Sequence, residues 1–332
     1  MAVVTLRKVD VPMDSEEQVP TGTEPGGEAA APVAASGARL SKLPSGKALF
    51  DGLWPPAVGI LGFIGLWAVL APMVHTSLGA LPGPGDVWDA FMGLMAEYSA
   101  ASSEAAAAEA SGQIYSGPPT FIDQIFTSLK TVGMGFVLAS LVAVPLGLLA
   151  GMSKRFNAAI NPLVQVMRPI SPLAWLPIVT MVVSASITSD DPTLAKSFVI
   201  SAIVVMMCSM WPTLINTAIG TASIDKDLLN VGRVLRLGWF AKLTRLVLPS
   251  SLPYIFTGMR LSLGTGWMVL IAAEMLAQNP GLGKFVWDEF QNGNEKSLSR
   301  IMVAVVVIGL IGVALDRIMM GFQALASRNR TV

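Results

Sequence analysis

Charged residues are scarce in this chain, and their scarcity indicates the class of protein. Asp, Glu, Lys and Arg make up only 13% of the 332 residues, whereas hydrophobic residues make up 53%. A soluble domain carries about 25% charged residues. The mean hydropathy of +0.61 points the same way. The composition therefore indicates a membrane protein rather than a water-soluble enzyme.

Several residue types and motifs that catalysis or metal binding requires are nearly absent. Cys208 is the single cysteine and His75 the single histidine, which argues against an intramolecular disulfide, a metal cluster or a histidine-based triad. There is no G-x-x-x-x-G-K-[ST] phosphate-binding loop, so we expect no ATP hydrolysis by this chain. The 22 basic and 22 acidic residues balance, which gives no polybasic surface for nucleic acid. We predict neither a metal nor a cofactor bound by the chain itself.

What the sequence does contain is a series of apolar runs. A bilayer takes about 20 helical residues to cross, and we predict six transmembrane helices at 54–74, 125–151, 162–184, 194–217, 251–277 and 300–322. The third contains Pro169, Pro172 and Pro177, so it should be kinked or partly unwound. The second has a small residue at every fourth position, which allows close helix packing within the subunit or across a dimer. These residues are Gly135, Ala139, Ala143, Gly147 and Gly151.

The basic residues predict the orientation, because Lys and Arg are retained on the cytoplasmic side. With the N-terminus inside, fifteen of the 22 basic residues are cytoplasmic, three are outside and four lie within spans. The opposite orientation would place fifteen outside, so we predict that both termini are cytoplasmic. Residues 1–48 are predicted to be a disordered cytoplasmic tail, because the stretch 24–37 within them has no large apolar residue except Val33.

Two loops between the spans carry further patterns. The acidic loop, 75–124, has no Lys or Arg, and its Ala/Glu-rich stretch 99–110 predicts a short surface helix. In the basic loop, 218–250, apolar residues fall on one helical face with spacings of four, three and four. That face is Ile224, Leu228, Val231 and Leu235; Ser223 is the expected N-cap, and Gly238 the expected end of the pattern. Such a helix either lies on the membrane surface or docks into a partner's groove.

Motifs in and beyond the basic loop resemble those of a known family. Gly238, Leu248-Pro249 and Leu252-Pro253 resemble the EAA loop of ABC-importer permeases, with Gly232, Arg233 and Val234 at the Glu-Ala-Ala positions. The run Arg168-Pro169-Ile170-Ser171-Pro172-Leu173-Ala174-Trp175-Leu176-Pro177-Ile178 resembles the third-span signature of the nitrate/bicarbonate/sulfonate permease group. So do Thr257-Gly258-Met259-Arg260, Ala272-Ala273-Glu274-Met275 and Gly281-Leu282-Gly283. Within that group, the run that begins at Arg168 resembles the nitrate and bicarbonate permeases, and residues 278–291 are most similar to nitrate permeases.

This resemblance implies an all-α membrane protein with a MetI-like ABC permease fold and a cytoplasmic coupling helix. The permease core would be 125–325, preceded by the first transmembrane helix and a periplasmic loop in 49–124 and followed by a cytoplasmic tail, 326–332. Contact with an ATPase subunit would involve Ile224, Asp225, Leu228, Val231, Arg233, Leu235 and Gly238. The implied partners are ATPase subunits that hold ATP-Mg, a second permease copy, a periplasmic substrate-binding protein and the bacterial inner membrane. The implied cargo is nitrate or nitrite, and the alternative cargoes are bicarbonate, cyanate or a sulfonate such as taurine. From another class of protein, the alternative is a self-sufficient secondary anion transporter or channel.

Ionisable residues within spans are costly and are therefore candidates for the anion pathway. Arg260 and Arg168 should both lie in the inner half of the membrane; alternatively, each snorkels to the headgroups or binds carbonyls that the prolines free. Lys130 and Glu274 lie near the outer ends of their spans and could form an ion pair, a structural role that we favour over gating or anion selection. Trp175 and Trp267 complete the candidate set, with core packing as the favoured alternative.

Overall fold

The computed structural model describes residues 46–76, 79–113, 117–187, 195–294 and 296–328. The chain divides into two units, Met1–Val58 and Gly59–Val332, and the packing described below belongs to the second. Of the predicted N-terminal tail 1–48, residues 1–45 lie outside the described residues, while 46–48 already belong to the first helix. Residues 329–332 of the predicted C-terminal tail also lie outside them.

Nearly all of the described residues are helical, as the sequence predicts. A two-residue antiparallel ladder of β1 (His75–Thr76) and β2 (Gly79–Ala80) is the strand structure in this part of the chain. A 3-10 turn follows the first helix at Ala71–Met73, and a π-helical turn at Leu243–Val247 leads into the ninth. The α-helices of the described part are α1 (Gly46–Leu70), α2 (Pro84–Ala110), α3 (Phe121–Met152), α4 (Lys154–Met167), α5 (Pro172–Ser186), α6 (Lys196–Ala222), α7 (Lys226–Val234), α8 (Trp239–Lys242), α9 (Leu248–Ala277), α10 (Leu282–Asn292) and α11 (Ser297–Arg328).

Five of the six predicted spans correspond to continuous apolar helices long enough to cross a bilayer. These are Trp54–Met73, Phe121–Met152, Lys196–Ala222, Trp239–Ala277 and Ser297–Ala326. The predicted third span, 162–184, is instead two helices, α4 and α5, which meet at an angle of 101°. The expected distortion is thus confirmed, and its cause is local. Pro169 and Pro172 donate no backbone hydrogen bond, and Ser171 Oγ accepts from Leu173 N at 3.3 Å to begin α5 anew.

Helix α6 packs along α3 on one side and α9 on the other, and small residues make the approach close. A Cβ added to Gly147 would lie 2.6 Å from Thr217 Cβ, and one added to Gly135 would lie 2.6 Å from Val205 Cγ1. On the other side of α6, a Cβ at Gly258 of α9 would lie 2.9 Å from Thr213 Cα. The small-residue repeat of α3 therefore serves packing within the subunit, which decides between the two expectations.

The helix in the acidic loop is longer than its composition predicts. Instead of a short helix at 99–110, α2 runs from Pro84 to Ala110. Gly83 N donates a hydrogen bond to Asp86 Oδ2 at 2.8 Å, which closes the first turn. Val87 and Leu94 are buried in a core cluster with residues of α3, α9, α10 and α11. Because these two apolar residues precede the Ala/Glu-rich stretch, composition alone missed the packed half of the helix.

We expect Gly147→Val to destabilise the protein, because the new side chain would overlap Thr217 and the Leu214 carbonyl across the α3–α6 contact. Overpacking of this kind typically costs about 1–3 kcal/mol. The matched control is Gly133→Val on the same helix, where an added Cβ meets no atom within 4 Å. Thermal unfolding of the purified protein in detergent measures both. Equal losses of stability in the two variants would show that helix propensity, not close packing, decides the effect.

Candidate functional site

Arg260 of α9 and Asp316 of α11 form an ion pair within two of the apolar spans. The guanidinium makes a two-point contact: its Nε bonds Asp316 Oδ1, and its Nη2 lies 2.9 Å from Asp316 Oδ2. A two-point arginine–carboxylate contact is strong and geometrically specific. Arg260 was a sequence candidate, whereas Asp316 was missed. An acidic residue inside the predicted span 300–322 is itself the signal that could have found it.

One side of this ion pair is open. The Arg260 and Asp316 side chains are 38% and 40% exposed, and they line a groove of about 510 Å³. An ion pair exposed to hydrocarbon is unfavourable, so this face must adjoin water or another protein surface rather than lipid. The remaining lining residues all come from one face of α9; they are Thr257, Leu261, Gly264, Thr265 and Met268. We call this feature the α9 groove.

Glu274 has the opposite environment, because its carboxylate is fully enclosed. Ser128 Oγ of α3 lies 2.9 and 2.8 Å from the two carboxylate oxygens, and Gly283 N donates to Oε2 at 3.0 Å. Leu282 N donates in turn to Ser128 Oγ at 2.9 Å, so the start of α10 is held against both α3 and α9. Nearby, Asn279 Nδ2 donates to Thr131 Oγ1 at 3.1 Å. We call this set of contacts the Glu274 cage.

Two glycines allow the backbone to close over the Glu274 carboxylate. A Cβ at Gly281 would overlap the carboxylate itself, and a Cβ at Gly283 would lie 2.9 Å from Glu274 Cβ. The motifs Ala272-Ala273-Glu274-Met275 and Gly281-Leu282-Gly283, which are separate in the sequence, are therefore two halves of one contact. The packing supplies a physical reason for glycine at both positions.

The predicted ion pair between Lys130 and Glu274 is wrong. Within the described part of the chain, Glu274 bonds Ser128 and Gly283, while Lys130 is exposed. The reason is helical geometry: residues two positions apart are rotated by about 200° about the helix axis, so their side chains project from nearly opposite sides. Because Ser128 faces Glu274, Lys130 must face away from it.

The other sequence candidates for the pathway lie apart from the ion pair. Trp267 is 5% exposed and donates through Nε1 to the Ile308 carbonyl at 3.0 Å, so it is a core residue. Trp175 lines a wholly apolar groove of about 220 Å³ between α5 and α6, which offers an anion no hydrogen-bond donor. Arg168 is exposed where α4 ends, beside the break before α5. No hydrogen bond or ion pair joins any two of the six candidates across the described residues, and of these six only Arg260 lines the α9 groove.

The helix in the basic loop is shorter than its pattern predicts. It spans Lys226–Val234, and its N-cap is Asp225 rather than Ser223, with Asp225 Oδ1 accepting from Asp227 N at 2.9 Å. It ends in a Schellman motif, in which Leu237 N donates to the Gly232 carbonyl at 3.0 Å. Arg236 takes the left-handed conformation there, with φ of 46°. Gly238 does not end this helix; it is the N-cap of α8.

The predicted apolar face of α7 is divided between two environments. Ile224 is buried with Val247 and Ile255, and Leu228 packs against the same cluster, so these two residues attach the loop to the start of α9. Gly232 reinforces the attachment, since a Cβ there would lie 2.7 Å from Leu246 Cδ1. Val231 and Leu235 are exposed, at 51% and 63%.

The exposed part of this face continues into residues that the periodicity did not select. Val234 is 82% exposed, and Trp239 and Phe240 of α8 are 59% and 70% exposed. Together with Val231 and Leu235 they form what we call the loop patch. Of the other predicted coupling residues, Asp225, Arg233 and Gly238 are also exposed. The apolar pair that follows Gly238 in an otherwise basic loop was the available sequence signal for Trp239 and Phe240.

The Glu274 cage predicts the effect of Glu274→Gln. One carboxylate oxygen becomes an NH₂ group that cannot accept a bond, so a buried donor loses its partner. We expect a loss of about 1.5–3 kcal/mol of stability, seen as a lower melting temperature of the purified protein. Glu97→Gln is the control, because Glu97 is 59% exposed in its pair with Arg300 and should change little. Unchanged stability with lost uptake would instead assign Glu274 to the anion pathway.

The sequence is similar to those of membrane components of transport systems. The family described as "Binding-protein-dependent transport system inner membrane component" matches residues 143–331. The bicarbonate transport system permease protein CmpB of Synechococcus elongatus is 34% identical over 305 residues, which cover 89% of this chain and 96% of that protein. The nitrate import permease protein NrtB of the same organism is 37% identical over 195 residues, or 59% of this chain and 66% of that protein.

A probable ABC transporter permease protein of Brucella melitensis is 33% identical over 265 residues, which cover 79% of this chain and 90% of that protein. The family match includes α7, the Glu274 cage except for its α3 residues, and the α9 groove. It confirms the resemblance to ABC-importer permeases and, with the helices described above, the MetI-like class of fold. The chain belongs to the family of binding-protein-dependent transport system inner membrane components.

Proposed function

We propose that the chain is the permease subunit of an ATP-driven importer that carries nitrate across the bacterial inner membrane. Two copies would form the membrane domain, ATPase subunits would bind the basic loop on the cytoplasmic side, and a substrate-binding protein would deliver the anion from the periplasm. Both termini would be cytoplasmic. ATP-Mg would be held by the ATPase subunits and not by this chain.

The observation that carries this proposal is the extent of the similarity to named anion permeases. The bicarbonate permease CmpB of Synechococcus elongatus is 34% identical, and the similarity covers 96% of its length. The nitrate permeases are 37% identical, but the similarity covers only about two thirds of their length. Nitrate and bicarbonate are both small, planar, monovalent oxyanions. Bicarbonate is therefore the second candidate cargo, favoured by coverage, while nitrate is favoured by identity and by the sequence motifs.

The loop patch supports the assignment of an ATPase partner. Its five residues are large and apolar, yet each is more than half exposed, and they lie in the basic loop, 218–250. Five large exposed apolar side chains within ten residues are typical of a protein or membrane interface. The buried side of α7 is fixed to α9, so a partner that moves the loop patch would also move α9.

Anion uptake by the complete transporter tests the proposed cargo. In proteoliposomes that contain the permease, the ATPase subunits and the binding protein, we expect ATP-dependent accumulation of labelled nitrate. Uptake should stop when the Walker lysine of the ATPase is mutated, and excess taurine should not compete. Stronger uptake of bicarbonate than of nitrate would reverse the choice of cargo. Uptake without nucleotide would contradict the whole assignment and indicate a self-sufficient transporter.

Substitutions in the loop patch test the ATPase contact. We expect Val234→Asp and Leu235→Asp to abolish co-purification of the ATPase subunits, because a carboxylate would be buried without a partner in the interface. Both side chains are mostly exposed, so the permease itself should still fold. Phe290→Asp is the control, since Phe290 is 60% exposed in α10, far along the chain from the basic loop. Normal ATPase binding by both loop variants would mean that the patch lies on the membrane surface instead.

A further inference from the structure

The α9 groove contains an anion that belongs to the protein itself. The two oxygens of the Asp316 carboxylate lie in one plane and occupy two donors of Arg260, Nε and Nη2. An anion that reaches Arg260 through the open side of the groove finds the Nε–Nη2 edge of the guanidinium already occupied by Asp316. The ion pair is thus a site together with a competitor for that site.

We propose that Arg260 is a binding site for planar monovalent oxyanions and that the transported anion binds there by displacing Asp316. This inference rests on the proposed function, and it adds both the binding residue and the feature of the cargo that is recognised. Nitrate and bicarbonate each present two oxygens in one plane, as a carboxylate does. The arginine fork matches such an edge at two points, whereas a spherical anion such as chloride is held at one.

The contrast with the Glu274 cage supports this role for the pair. Both features contain a charged group within an apolar span, but Glu274 has no exposed surface, while Arg260 and Asp316 are each more than a third exposed. A purely structural pair would be expected to be closed off, as Glu274 is. The open side of the groove, about 510 Å³ in volume, is large enough for a small oxyanion and leaves Asp316 room to withdraw.

Competition by Asp316 would also keep anion binding weak. A site that is free for only a fraction of the time has an apparent affinity lowered by that fraction. Before an anion arrives, Asp316 offsets the charge of Arg260, which would otherwise be unpaired inside the span. Transport requires binding that is favourable enough for entry and weak enough for release. Asp316 meets both requirements: Arg260 still attracts an entering anion, and competition from Asp316 promotes its release.

Titration of the purified permease–ATPase complex with nitrate, bicarbonate and chloride tests the proposal. Asp316→Asn removes the competing charge and should tighten nitrate and bicarbonate binding about tenfold, with a smaller change for chloride. Asp288→Asn is the matched control; it removes the same charge from a pair with Lys284, outside the groove, and should change no affinity. No change in Asp316→Asn, or equal tightening for nitrate and chloride, would overturn the displacement of Asp316.

A second variant keeps the test decisive if Asp316→Asn does not assemble. Arg260→Lys retains both charges of the pair but replaces the fork with a point charge. We expect it to lose the preference for nitrate and bicarbonate over chloride while the complex still co-purifies; a retained preference would overturn the proposal. Uptake by the unaltered transporter distinguishes a failure of the proposed function from a failure of the proposed binding site. If neither nitrate nor bicarbonate is transported, the proposed function fails, whereas normal transport with unaltered variant affinities rejects only this site.

Discussion

A charged side chain within an apolar helix bundle is stable only where a partner offsets its lost hydration. This chain meets that constraint in two different ways. Around Glu274 the protein supplies hydroxyl and backbone N–H donors and closes completely, so the charge serves to join α3, α9 and α10. At Arg260 the partner is a carboxylate from α11 and one side stays open. The first arrangement fixes the framework, and the second leaves a charged group available to a ligand.

The framework depends on how closely three helices approach. Glycines on α3 and α9 let both backbones lie against α6, where larger residues would overlap its side chains and carbonyls. Near the start of α11, Arg300 bonds Glu97 of α2 at 2.5 Å and Glu289 of α10 at 3.2 Å, which links three further elements. Between α4 and α5, in contrast, the prolines prevent a continuous helix. Rigid contacts and a built-in break therefore occur side by side in one fold.

Helix α9 connects the basic loop with the α9 groove. Its N-terminal part packs against Ile224 and Leu228 of the basic loop, and Arg260 follows twelve residues after its first residue. The helix is continuous between these points, so a displacement of the loop patch would be transmitted along α9 to the ion pair. This geometry fits a transporter in which a partner's movement changes the access of an anion to Arg260.

The sequence by itself determined the membrane class, the family, five of the spans and the distortion of the third. These follow from local properties: apolar runs, prolines and short motifs act through the residues next to them. Tertiary structure alone decided which polar side chains meet. Arg260 and Asp316 are 56 residues apart in the chain and Ser128 and Glu274 are 146 apart, and no local pattern encodes such pairings. The same holds for α7, whose apolar face looks uniform in the sequence. Only the packing of Ile224 and Leu228 against α9 shows which half of that face stays exposed.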